Sequence, residues 1–409
     1  MPGPSQARHP RLEVADVFRA HGASFRRTHP ASSAQLTVMK HIEECRTAAL
    51  GGHVDECDTC GHVKISYNSC RDRHCPKCQS LKKAEWLERR LERLLPVPYS
   101  HVVFTLPDEL NPVTFRNKQV VYNILFRAAS ETLLTIAADR KHLGAEIGFT
   151  AILHTWGQNL LFHPHLHCVV TAGGLAASGK RWVRARGNFF LPVRVLARLF
   201  RGKFLHYLSE ARRQGHLSFE GSTGALAEEK VFRRFVDALY RKAWVVYAKP
   251  PFGGAEHVFH YLGRYTHRIA ISNGRLVEMK DTKVSFTVKD YADESRQKVL
   301  TLHSVEFIRR FLLHALPKRF IRIRHFGLMA GRNVTEKLPL CRQLLAPGAA
   351  QPTASSEPKP KKTWQERVLE LTGIDPRECP RCSEGTMRRQ AVLSPVRGLV
   401  PAACRMDSS

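Results

Sequence analysis

HPHLHCVVTAG, from His163 to Gly173, is the stretch around which the chain is organised. It follows IGFTAILHTWG (Ile147–Gly157) and a loop carrying QNLLFHP, and the two runs read as the strands of a hairpin. Residues two apart on a strand point to one face, so His165 and His167 present their imidazoles side by side while Leu166 turns into the core. Two neutral imidazoles on one face are a ready pair of metal ligands. A histidine-rich polar face would give the same pattern, so the motif needs support from elsewhere in the chain.

Working outward, SHVVFTLP reads as a strand and Pro112–His142 as one long or broken helix. The hairpin comes next. LPVRVLARLFRGKFLHYLSEARRQG then carries apolar residues at helical spacing, Lys230–Lys242 is a second, shorter helix, and AWVVYAKP is a strand. With an extra hairpin at KRWVRARGNFF, the order is β-α-β-β-α-β. The expected class is therefore α+β, a ferredoxin-like antiparallel sheet with the HPHLH strand at its centre. Beyond it lie a hairpin (RLVEMKD with KVSFTVKDY), a helix around Ser304–His314 and a basic strand in RFIRIRHFG. Residues 336–363 run into Ala, Pro, Ser and Lys, a linker composition, before a short helix and the CxxC of Cys379 and Cys382.

Six of the eleven cysteines fall between Cys45 and Cys78. Cys57-x2-Cys60 and Cys75-x2-Cys78 are two knuckles fourteen residues apart, the spacing of a four-cysteine zinc ribbon. Cys45, His53, Cys70 and His74 are left over as a second site, as substitutes for a primary ligand, or as residues with no metal role. The C-terminal CxxC is half a site, for which Cys341 and Cys404 are the candidate partners. Clustered CxxC pairs in a long chain point to metal in a reducing compartment rather than to disulfides.

Lys and Arg exceed Asp and Glu by 28, the electrostatic footprint of a phosphate backbone, with an acidic membrane surface the weaker rival. No uninterrupted apolar run reaches membrane-spanning length, no cleavable leader is evident, and a membrane partner is not expected.

The support for the histidine pair comes from EHVFHYLGRYTHR (Glu256–Arg268). Tyr261 and Tyr265 are four residues apart, on one face if the segment is helical, with His257 a further turn upstream. Arg264, His267 and Arg268 surround them, more cationic groups than a buried aromatic stripe tolerates. Together these parts suit a phosphodiester transesterification. A divalent ion on the histidines, Mg2+ or Mn2+, polarises the phosphate, and a tyrosine attacks it to leave a 5′-phosphotyrosine and a free 3′-hydroxyl. Two tyrosines allow two cleavages in turn, and no P-loop is needed because the ester keeps the bond energy. His163, on the parity of the pair but beside Pro164, His154 and His257 are the candidate third ligands, with His257 slightly preferred. Arg264, Arg268, Arg322 and Arg324 are candidate DNA contacts.

These motifs carry a family resemblance. CRTAALGGHVDECDTCG, NSCRDRHCPKCQ, LHTWGQNL, HPHLHCVV, YLGRYTHRIAISN and RIRHFG, in this order over Ile42–Leu328, resemble the two-tyrosine HUH rolling-circle transposases of bacterial insertion sequences, the insertion-sequence ninety-one type. The resemblance implies an N-terminal zinc-binding domain (37–95) after a basic segment (1–36). It implies a catalytic domain (96–335) that nicks and joins single-stranded DNA at element ends, and the linker then leads to a tail (364–409). It places the HUH pair on His165 and His167 and the nucleophiles on Tyr261 and Tyr265. Structural Zn2+, catalytic Mg2+ or Mn2+, host replication or helicase functions and a nucleoid-associated cytoplasmic location go with it. Replication initiators and relaxases share the chemistry. A non-catalytic zinc-dependent regulator and an HxH metallohydrolase explain fewer of the motifs.

Overall fold

The computed structural model describes residues 12–78, 80–185, 191–252, 263, 269–290, 293–294, 296–346 and 362–396. Two helices open the chain, α1 (Val14–Thr28) and α2 (Ser33–Glu44). Ser32 and Gln35 cap α2 reciprocally, each side chain meeting the other's backbone N–H. Val14, Val17, Phe18 and Phe25 bury the apolar face of α1 in the main core. The basic opening segment is thus partly a core element. β1 (Gly52–Cys57) and β2 (Val63–Tyr67) form a hairpin, and α3 (Ser80–Leu91) follows.

β3 (Tyr99–Thr105) leads through α4 (Asn111–Arg116) into α5 (Lys118–Ala138). The expected helix is broken at Asn117, whose φ of −115° and ψ of 39° leave the helical region while its amide bonds Val113 O and Ser218 O. α5 is long and apolar enough to cross a membrane by length and composition, but 67% of its most apolar window is buried inside this fold. Then come the short β4 (Ala145–Glu146), the hairpin β5 (Gly148–Trp156) and β6 (Phe162–Thr171), and β7 (Gly173–Ala176) with β8 (Trp182–Arg184). α6 (Val193–Arg213), α7 (Glu229–Arg241) and β9 (Val246–Phe252) complete this stretch. A meander of β10 (Leu276–Lys280), β11 (Lys283–Asp290) and β12 (Arg296–His303) precedes α8 (Ser304–Leu313), β13 (Ile323–Gly327) and α9 (Lys337–Leu345). The C-terminal segment supplies α10 (Trp364–Thr372) and β14 (Met387–Leu393).

The central sheet has the order β13-β5-β6-β3-β9, every neighbouring pair antiparallel, with the HPHLH strand β6 in the middle. Strand alternation gives it two faces. Phe104, Phe149, Leu153, Leu166, Cys168 and Val170 bury one face in the core shared with α5 and α6. Phe200 of α6 meets Phe104 at 4.9 Å between ring centroids. The opposite face carries Ile152 and Val169 in a smaller apolar cluster with Leu87 of α3 and Leu338 of α9. Beside that cluster it carries His101, His154, His165 and His167. β14 does not trail from the fold: it pairs with β1, giving a second sheet in the order β14-β1-β2.

Candidate metal and nucleic-acid site

Register places the site. His154 on β5 lies directly opposite His165 on β6, and His167 is opposite Ile152 on one side and Val103 on the other. His154, His165 and His167 therefore converge on one face, with a ring nitrogen from each within 4.8 Å of the others. His165 Nδ1 donates to the carbonyl of His163 at 2.7 Å, which fixes its tautomer and leaves the Nε2 lone pair outward. His167 Nδ1 sits 2.9 Å from His101 Nε2 on β3, which can accept its proton and so free the His167 Nε2 lone pair for a cation. The two Nε2 atoms are 3.0 Å apart. Two ligands at right angles on an octahedral ion with bonds of about 2.1 Å lie roughly 3.0 Å apart, so the donor set fits a divalent cation.

Burial, reinforced by neighbouring cationic or imidazole groups, favours the uncharged rings. It pulls His101 down to about 3, with Lys249 and His165 adding to the effect, and His165 down to about 4 against the His163 carbonyl. His167 is held well below its ordinary value by the same burial, with His154, His165 and His101 around it. Neutral imidazoles are the form that binds metal. His154, 4% exposed, stacks on Trp156 with ring centroids 4.4 Å apart. His163 is turned away to within 3.7 Å of Asp108 and is not part of the set. Lys249, across from His101 on β9, is an exposed cation on the rim of this face.

Tyr261, Tyr265, His257, Arg264 and Arg268 lie outside the described residues. Gly263, midway between the tyrosines, is described, and a Cβ built on it would stand 3.5 Å from Leu87 Cδ1. Leu87 belongs to the apolar cluster that covers Ile152 and Val169 on the histidine face. Two of the arginine expectations need correction. Arg322 is 7% exposed, and burial pulls its guanidinium down to about 9, so it faces the interior rather than a DNA surface. Arg324 pairs with Ala151 in register and so projects to the helix side of the sheet, where it bonds Asn123 and covers the rings of Phe126 and Phe320.

The cysteines are also sorted differently from the expectation. Cys57 and Cys60 are not grouped with Cys75 and Cys78. Cys45, Cys70, Cys75 and Cys78 form one set, with Sγ separations of 3.3 Å (Cys45–Cys78) and 3.5 Å (Cys70–Cys78). Cys57 and Cys60 form another with Cys379 and Cys382. The single ribbon fails because Cys57 and Cys60 sit at the turn of the β1–β2 hairpin and β2 carries the chain away from that turn before Cys75, so equal CxxC spacing did not mean shared space. His74 is not a ligand. Its Nδ1 bonds Asp72 at 2.8 Å and its Nε2 accepts the Leu316 amide at 3.1 Å, which occupies both ring nitrogens. Cys341 is buried among apolar residues of α9 rather than beside the C-terminal CxxC, and Cys404 lies outside the described residues.

His101 was missed by the sequence reading. The available signal was parity: in SHVVFTLP it falls on alternate positions from Tyr99 and Val103, within a strand already assigned to the sheet.

Residues 148–337 match a family model described as "Putative transposase", and residues 17–106 match one described as "Transposase zinc-binding domain". The chain is 53% identical over 393 residues to "Putative transposase y4qJ" of Sinorhizobium fredii, covering 96% of this chain and 98% of that one. It is 30% identical over 349 residues to the transposase for insertion sequence element IS801 of Pseudomonas savastanoi pv. phaseolicola, covering 85% and 81%. No solved structure matches.

Proposed function

The chain belongs to the IS91-family transposases and carries their zinc-binding domain, and from that premise we propose that it nicks and rejoins single-stranded DNA at insertion-sequence ends through 5′-phosphotyrosine intermediates. The observation that carries the reading is the convergence of His154, His165 and His167 with two Nε2 atoms 3.0 Å apart on one face of the central sheet. These three side chains would hold Mg2+ or Mn2+, with His101 positioning His167. When bound, such an ion supplies Lewis-acid polarisation of the scissile phosphate.

Tyr261 and Tyr265 are the nucleophiles. A tyrosine hydroxyl loses its proton and its oxygen bonds phosphorus. The bond to the 3′-oxygen breaks, and that oxygen takes up a proton to leave as the 3′-hydroxyl. Rejoining reverses the step with a second 3′-hydroxyl, so the ester energy is conserved. The packing of Gly263 against Leu87 supports a tyrosine segment over the histidine face. The order β5-β6-β3-β9 is the 2-3-1-4 order of a split βαβ unit and supports a ferredoxin-like reading of the sheet. Cys45, Cys70, Cys75 and Cys78 would bind a structural Zn2+. We place the protein with bacterial nucleoid DNA, relying on host replication or helicase activity to expose single strands.

The test is a cleavage assay on single-stranded DNA of the element end, with and without Mg2+. A metal-dependent covalent protein–DNA adduct that disappears in the Tyr261→Phe/Tyr265→Phe variant is the expected result. An adduct that persists in that variant would refute the assignment of the nucleophiles.

A further inference from the structure

We propose that Cys57, Cys60, Cys379 and Cys382 hold a second zinc ion, which clasps the C-terminal segment to the N-terminal zinc-binding domain. The ligands come from opposite ends of the chain, Cys57 and Cys382 being 325 residues apart in sequence. Their Sγ atoms stand 3.7 Å apart, as do those of Cys60 and Cys379. Sulfurs at about 2.3 Å from a tetrahedral zinc are roughly 3.8 Å from one another. A disulfide would need about 2.05 Å.

The two halves are near-equivalent knuckles. Backbone N–H groups of Thr59 and Cys60 point at Cys57 Sγ, at 3.4 and 3.5 Å. Those of Arg381 and Gly385 point at Cys379 Sγ and Cys382 Sγ, each at 3.4 Å. Such donors stabilise thiolates. The residue after the second cysteine takes a left-handed conformation in both halves, Gly61 at φ 66° and Ser383 at φ 57°. A Cβ on Gly385 would lie 2.3 Å from Cys57 Sγ, so the backbone closes tightly over the cluster.

Among the described residues of 362–396, only Cys379 and Gly385 are buried, and both are at this cluster. The segment has no apolar core of its own, and α10 buries nothing. It is held otherwise by strand pairing of β14 with β1 and by ion pairs such as Arg367–Glu88 at 2.7 Å and Arg388–Asp58 at 3.0 Å. Arg388 is 71% exposed, and an ion pair that open contributes little. A small segment without a core needs a staple, and structural zinc supplies folding free energy directly. The clasp would close only when the full chain has been made. It is independent of the nicking chemistry.

The experiment is a zinc count on the purified full-length chain, by elemental analysis after removal of loosely bound metal. Wild type should hold two ions. Cys379→Ser/Cys382→Ser should hold one, Cys57→Ser/Cys60→Ser one, and the quadruple variant still one. The retained ion at Cys45, Cys70, Cys75 and Cys78 reports that the rest of the domain has folded. Adding Cys75→Ser/Cys78→Ser to Cys379→Ser/Cys382→Ser should leave none. If Cys379→Ser/Cys382→Ser keeps the wild-type count, or the quadruple variant loses more than either pair alone, the clasp is wrong. Hydrogen exchange gives a second reading. β1 amides should exchange faster in Cys379→Ser/Cys382→Ser, and unchanged protection would also overturn the proposal.

Discussion

His101 makes a sharp test of the metal reading because it touches no substrate and acts through another ring. Its Nε2 lies 2.9 Å from Nδ1 of His167, which is only 9% exposed. In His101→Ala the His167 Nδ1–H loses that acceptor, and with it the contact that favours the tautomer with a free Nε2 lone pair. Removing a buried partner costs about 1–3 kcal/mol. At about 1.4 kcal/mol per decade this weakens metal binding roughly 5- to 150-fold, and loss of a group that orients a metal-ligating histidine typically costs about 10–100-fold. The assay is nicking of a single-stranded end oligonucleotide over a Mn2+ titration. The half-saturating Mn2+ should rise by about one to two decades while the rate at saturating Mn2+ stays near wild type. An unchanged half-saturation, or a rate loss that no metal concentration restores, would refute the positioning role.

Other substitutions test neighbouring parts. His154→Ala should abolish metal-dependent nicking at ordinary Mg2+ while leaving single-stranded DNA binding intact, and full activity in gel-based cleavage would remove His154 from the ligand set. Gly327→Ala should destabilise β13 severely, because its φ of 57° is left-handed and a Cβ would stand 1.9 Å from Ile147 O. A loss of about 2–4 kcal/mol in chemical denaturation is expected. His314 should make stability fall with acid. Burial pulls it down to about 3, while it bonds Leu160 O and Thr155. Below pH 6.5 the unfolded chain therefore gains a proton that the folded one refuses. At about 1.36 kcal/mol per unit, this costs about 2 kcal/mol by pH 5, and His314→Gln should flatten the melting profile over that range by the same amount.

What the sequence revealed and what it concealed follow one physical division. Strand parity is local, so the shared face of His165 and His167, and the burial of Leu166, could be read from five residues. The place of that strand in the middle of the sheet could be read from the order of elements, because a split βαβ unit admits few topologies. Partners drawn from other strands were legible only through register. His154 faces His165 because of how the β5–β6 hairpin pairs, and His101 meets His167 diagonally across β3. Neither offset is written in spacing. The cysteines show the limit most clearly. Two CxxC pairs fourteen residues apart come close to the ribbon spacing, and a pairing with the distant Cys379 and Cys382 does not. Which knuckles meet is decided by β14 returning to the edge of β1, a pairing across more than three hundred residues. A spacing rule assumes that ligands near in sequence share a site. Here β2 lies between the knuckles, so that one of them falls beside Cys45 and Cys70 and the other, at the hairpin turn, is left open to the far end of the chain. Cys45 and Cys70, left over in the sequence reading, are the residues whose presence should have signalled that eight thiols divide into two sets of four.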